Sequence, residues 1–352
     1  MAVGSEVIGK IAGGDQVYRI TLESTSGFRV QVITLGATIS AISPLDRSGN
    51  RDNIVLAYPI LEDYLANPAY IGSTVGRIAG RIRNGCFNLL GSQVFLDSAH
   101  HPHALHSGPG GLHMINWDIG KVSPTSAELY WLDPPGARKP PGQLSLTANF
   151  TIIENSAEEI LRVRYSAVSD ATTYLNLANH SYFNLSGEGQ SVLNHQLMVQ
   201  AGQVAYLDRE SIPLDDLVSV EENGFDLQKP VLLSDFLSAG HSQLIQAAGL
   251  DHPFKLKHKR AAIRLFAPDK GRLLTIDTNQ EYAVVYSGNY LHEADVPSGV
   301  TWPCHSGICF ETQAIPNAPN RKDFSGDWLQ KGQNYIHETL YRFSLAPAIP
   351  YK

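Results

Sequence analysis

Cysteine is scarce in this chain of 352 residues: only Cys86, Cys304 and Cys309. So small and odd a number builds no disulfide framework and suits a reducing compartment, so the expected location is the cytoplasm. Cys304 and Cys309 lack a second pair at zinc-site spacing, so no metal site is expected there. No stretch reaches the ~18 apolar residues of a membrane-spanning helix, so no membrane partner is expected. The opening MAVGSEVIGKIAGGDQVYRI has no basic segment followed by an apolar run, so no secretory signal is expected. Charged residues make up 17% and the net charge is −7, which gives no pull toward nucleic acid. The phosphate loop G-x-x-x-x-G-K-[ST], a helix-opening G-x-G-x-x-G, H-E-x-x-H and G-x-S-x-G are all missing. These gaps argue against nucleotide, nicotinamide and simple hydrolase chemistry, and no cofactor is expected.

What the chain has is alternation with period two. Phe28, Val30 and Val32 share one face of FRVQV. Leu144, Leu146, Ala148, Phe150 and Ile152 line up in the same way, as do Leu161, Val163, Tyr165 and Ala167, and then Thr339, Tyr341 and Phe343. Successive strand side chains point to opposite faces, so these are half-buried antiparallel strands. Asn84-Gly85 reads as a tight hairpin turn, and Asp133 to Gly142 as an exposed loop between two strands. Helical stretches are few: Ile60 to Ala66 and, more weakly, Leu237 to Ala248. Without βαβ alternation, linkers or repeats, the simplest reading is all-β: one large antiparallel β-sandwich domain over residues 1–352.

Four segments place ionisable groups among glycine, asparagine and aromatic residues. GRIAGRI, residues 76–82, carries Arg77 and Arg81, which suit either sugar hydroxyls and carboxylates or structural ion pairs. The segment from His100 to Asp118 carries histidines at 100, 101, 103, 106 and 113. Carboxylate or thiolate partners for a metal are missing nearby, so one histidine facing a pocket and the rest on a loop surface is the better expectation. In NLANHSYFNLSG, His180 sits between amides and aromatics, fit for a tuned proton donor or a hydrogen-bonded core histidine. In HSGICFETQ, Glu311 follows Ile308, Cys309 and Phe310 directly. A carboxyl inside an apolar strand is costly to bury unless paired and tends to a raised pKa, which suits a general base. Asp251 in GLDHPF is a lesser candidate that could equally cap a turn.

Taken in order, GRIAGRI, LHSGPGGLH…W, NLANHSYFNLSG, GLDHPF, YSGNYL and GICFETQ…PNAPN resemble the aldose 1-epimerase (galactose mutarotase) family, from about Gly36 to Phe343. The resemblance implies a large β-sandwich with a sugar site on its concave face. It implies Glu311 as general base, His180 as general acid and His106 as a second histidine that hydrogen-bonds the sugar. It also implies Arg81 and Asp251 as residues holding sugar hydroxyls. Many members carry asparagine where this chain has Gly80, and HGG where it reads His106-Ser107-Gly108. Both departures bear on loop shape or sugar preference.

The chemistry suits these residue types. Opening a hemiacetal ring takes a proton from the C1 hydroxyl and gives one to the ring oxygen, which a carboxylate and an imidazolium can do together. Rotation about C1–C2 and reclosure yield the other anomer. The implied partner is a small free aldose such as galactose or glucose. The rival readings are a glycoside hydrolase built on Glu311 and Asp251, a hexose-phosphate epimerase relative with extra basic residues at the rim, and a non-catalytic sugar-binding protein.

Overall fold

The structure, a computed structural model, describes residues 4–98, 102–136, 139–187 and 189–346. Its frame is two antiparallel sheets packed face to face. The larger has nine strands, in the order Asp118–Ser123, Ser126–Asp133, Leu144–Ile153, Glu159–Ser169, Tyr335–Leu345, Arg272–Thr278, Ile263–Ala267, Gln196–Val199 and Val231–Leu232. The alternating residues of 144–152, 161–167 and 339–343 are buried on one face of it, and Phe28, Val30 and Val32, from a smaller meander alongside, join the same core. Each such Leu or Phe contributes roughly 1.5–3 kcal/mol by leaving water. Truncating Phe150, which is wholly buried, should cost about 3–5 kcal/mol.

The second sheet has six strands: Tyr182–Phe183, Ile308–Gln313, Tyr282–Tyr286, Asp251–Leu256, Ala201–Leu207 and Pro213–Ser219. Ile308 and Phe310 join the apolar core between the sheets, together with Phe254 and Val285. Glu311 and Gln313, of the opposite parity on the strand, must therefore face away from that core, and they line a pocket. All six residues of Ile308–Gln313 are buried, because loops cover the pocket side of the strand as well. A four-stranded meander, Ser5–Lys10, Gln16–Glu23, Arg29–Ile33 and Thr38–Ser43, packs alongside.

Two local expectations need correction. Asn84 and Gly85 do adopt positive φ, 54° and 57°. Yet they join no paired strands, because Arg81–Ile82 pairs with Ala104–Leu105 and Cys86–Leu89 pairs with Ser92–Phe95. The tight hairpin lies one step later, at Leu90 and Gly91 with φ 49° and 89°. The stretch Leu237 to Ala248 is not one helix. Within it only Ser242–Gln246 is helical; a separate short helix, Leu233–Leu237, ends where the stretch begins, and Gly240 in the left-handed region lies between the two. The His241 side chain then caps the second piece by accepting from the Gln243 N–H. The helix at Leu61–Ala66 stands within one residue of expectation.

Candidate active site

The pocket, a cavity of about 300 Å³, brings Arg81, His106, His180, Asp251 and Glu311 together with Tyr70 and Gln313. Sheet register sets its floor. Glu311 lies opposite Val284, which lies opposite Pro253, while Asp251 pairs with Tyr286 nearer one end.

His180 is held from both sides of its backbone. Its N–H donates to Ser73 (2.9 Å) and its carbonyl accepts from Gly72 (3.0 Å). The amides around it do similar work: Asn179 donates to the Gly72 carbonyl, Asn176 to those of Ala79 and Ala314, and Asn184 to that of Ser306. The asparagine-rich segment is thus scaffolding that aims one imidazole. His180 Nε2 stands 3.7 Å from Glu311 Oε1. His180 Nδ1 lies 3.6 Å from the Cys309 thiol, two residues before Glu311 on the same strand. Burial draws the His180 pKa down to about 4. Burial pushes the Glu311 carboxyl up to about 8, with the Asp251 charge adding to the rise and Arg81 opposing it.

His106 follows the short strand Ala104–Leu105, at φ 49°. Its backbone N–H donates to the Gly80 carbonyl (3.0 Å), and its Nδ1 accepts from the Gly80 N–H (3.1 Å). A backbone N–H has one direction and one role, so Nδ1 carries no proton and the neutral ring keeps its hydrogen on Nε2. Burial, then the neighbouring His180, His113 and Arg81, hold its pKa well below the ordinary value. His106 is therefore a neutral Nε2–H donor.

That tautomer also tests the site for a metal. Ligand atoms of His106, His180 and Glu311 lie within 4.8 Å of one another, a donor set of two histidines and a carboxylate. A metal on His106 Nε2 would move the proton to Nδ1 and set N–H against the Gly80 N–H. Metal-ligating histidines ordinarily donate from the other nitrogen to an acceptor. The trio does not fit a metal.

Arg81 and Asp251 form a partly buried pair, Nη1 to Oδ2 3.3 Å. Burial raises the Asp251 pKa and Arg81 offsets part of that rise. Tyr70 covers the histidines, with its ring centroid 4.6 Å from His106 and 5.8 Å from His180.

Comparison with known proteins agrees with this arrangement. The family model for aldose 1-epimerase matches residues 18–342. The chain is 36% identical to galactose mutarotase of Bos taurus over 339 residues, covering 95% of this chain and 96% of that one. It is 30% identical to aldose 1-epimerase of Escherichia coli K12, covering 95% and 97%. The chain belongs to the aldose 1-epimerase family. Among solved structures, galactose 1-epimerase from Lactobacillus acidophilus NCFM superposes with a TM-score of 0.85 at 28% identity, covering 97% of this chain and 98% of that one. An aldose epimerase homologue from C. elegans gives 0.84 at 25%, covering 93% and 99%. As the family requires, this is an isomerase that interconverts the anomers of an aldose, on the antiparallel β fold expected of it.

Against that epimerase frame, the two arginines of GRIAGRI divide between the two readings open from sequence. Arg81 reaches the pocket, whereas Arg77 is buried, paired with Asp133 and donating to the carbonyls of Pro140 and Gly142. Asp133 is thus a buried anchor at the start of its loop. His103 and His113 are buried as well, which corrects the loop-surface expectation: His103 Nδ1 accepts from the Asn84 N–H, and His113 packs edge-on against Tyr70. His100 and His101 lie outside the described residues. Asp251 opens a strand and does not cap a turn. Ser107 sits at φ 69°, and its hydroxyl accepts from the Ile78 N–H, tying the His106 loop to GRIAGRI. Sequence reading missed Tyr70 and Gln313. Nothing local marks Tyr70, whereas period two from Glu311 points at Gln313.

Proposed function

We propose that the epimerase works by proton exchange between the sugar and the His180–Glu311 pair, with Arg81 and Asp251 holding hydroxyls. The observation that carries this reading is the 3.7 Å separation of two buried titratable groups, beside a histidine fixed as a neutral donor. Burial disfavours charge on both groups, so the single proton of the pair resides on Glu311 and His180 is neutral. Sugar hydroxyls bring polar partners, and one proton transfer gives the working form, carboxylate and imidazolium. Glu311 then takes the C1 hydroxyl proton while His180 protonates the ring oxygen. The Nε2–H of His106 donates to a sugar oxygen and holds the ring in place as it opens. After rotation about C1–C2 the two groups exchange roles and the ring closes on the other face.

The substrate is a neutral hexose such as galactose or glucose. Among the described lining residues Arg81 is the only lysine or arginine, and Asp251 already engages it. That leaves a phosphate without a free cation, against the hexose-phosphate reading. A glycoside hydrolase would use Glu311 and Asp251 and leave both histidines without a task. All three cysteines are free, which fits a place in cytoplasmic hexose metabolism. No helix among the described residues is long and apolar enough to cross a membrane. The test is polarimetry on freshly dissolved α-galactose and α-glucose in EDTA-containing buffer. Accelerated mutarotation supports the reading, and a requirement for added metal or nicotinamide would sink it.

A further inference from the structure

We infer that Gln313 is a further sugar-binding residue, whose side-chain amide reads one hydroxyl remote from the anomeric carbon; this rests on the epimerase site proposed above. Gln313 stands two residues beyond Glu311 on the same strand, on the same face, so it is displaced along the pocket floor by about 6.8 Å. Cys309 is displaced equally in the other direction, toward the Asp251 and Tyr286 end of the floor. Gln313 therefore serves a part of the sugar that Asp251 does not.

Its amide is conspicuous for what it lacks. The residue is 0% exposed, yet among the described residues neither its carbonyl oxygen nor its NH₂ has a hydrogen-bond partner. Other buried amides are spent on backbone: Asn176 accepts from the Ala314 N–H and donates to two carbonyls, and Asn289 donates to the carbonyls of Ala247 and Leu250. Buried polar groups in folded proteins are ordinarily satisfied, and an exception asks for an explanation. Gln313 lines the sugar pocket, and a hydroxyl both donates and accepts, which matches the free carbonyl and NH₂.

Gly80 completes the corner. A Cβ there would lie 2.8 Å from the Pro316 ring and 3.3 Å from Gln313 Nε2, at a φ of +78° that favours glycine. A side chain at position 80 would press on the Pro316 ring, so with glycine there Gln313 is the polar group offered at that corner.

The experiment compares wild type with Gln313→Met and Gln313→Leu, using polarimetry, melting temperature and galactose calorimetry. Galactose derivatives lacking the C3, C4 or C6 hydroxyl locate the contact. The expected result is a KM raised about tenfold, as for one lost hydrogen bond, with kcat nearly unchanged. Wild type should discriminate against one deoxy sugar, and the variants should lose that discrimination. Melting temperature should hold or rise, since an unpaired buried amide is removed. An unchanged KM in both variants overturns the inference, and so does a fall in melting temperature in both, which marks a structural amide. Should wild type fail to accelerate mutarotation, the epimerase mechanism falls by itself. Galactose calorimetry then decides Gln313 alone: weaker binding by the variants supports it and equal binding overturns it.

Discussion

His180 Nε2 lies 3.7 Å from Glu311 Oε1, and each side chain is only 5% exposed. At that distance and burial the two groups titrate as a pair, and the proposed proton exchange requires that the pair hold one proton. Below about 4 His180 is protonated as well and no base remains; above about 8 Glu311 has lost its proton and no acid remains. The profile of kcat/KM against pH should therefore be bell-shaped, with limbs near about 4 and about 8. A profile flat from pH 5 to 10 contradicts the pairing.

Removing either partner should strike turnover and spare the fold. Glu311→Gln keeps the shape but accepts no proton, and His180→Asn gives none. Each should lower kcat by about 10²–10⁴-fold while galactose still binds by calorimetry. Glu311 Oε2 is buried without a partner among the described residues, so Glu311→Gln should not lower the melting temperature. Near-wild-type kcat in a folded His180→Asn protein would refute the acid role, and unfolding would make His180 a core histidine.

Asp251 should behave differently. Its Oδ2 lies 3.3 Å from Arg81, and in the proposed reading the pair holds hydroxyls that persist from ground state to transition state. Asp251→Asn should mainly raise KM, with a smaller fall in kcat from looser positioning. Loss of turnover in Asp251→Asn, with Glu311→Gln only weakening binding, would reverse the two roles.

Acid should unfold the protein early. Burial depresses His113, His180 and His195 to about 4, and His252 and His337 to about 3. Between those values and the ordinary 6.5 the unfolded chain binds more protons than the folded one, so stability falls as pH drops through the window. His106 is lowered as well, and the raised carboxyls Glu311 and Asp251 act in the opposite sense, but they are two groups against six. Stability should fall from pH 6.5 toward 4.5, by up to about 1.4 kcal/mol per pH unit for each histidine, and melting temperature should fall with it. A melting temperature constant over that range contradicts it.

The strands were legible because one face of each is buried, and period two writes burial directly into sequence, as in Leu144 to Ile152. Glu311 was legible for a related reason, since a carboxyl after Ile308, Cys309 and Phe310 is anomalous in any strand. The turn at Asn84-Gly85 misled because its local preference is real, while the pairing of the strands around it is decided by distant partners.

Sequence by itself determined the β character of the chain, the alternating core and the identity of the residues able to move protons, because these depend on side-chain chemistry and spacing along one strand. Tertiary structure alone decided which copies of a repeated residue serve the site. Arg77 and Arg81 share a motif, yet Asp133 captures the first and Asp251 meets the second. His106 and His113 share a loop, yet only His106 meets the Gly80 N–H that fixes its tautomer. Those partners lie tens of residues away in the chain, and contact energies act only at the few ångströms that folding creates.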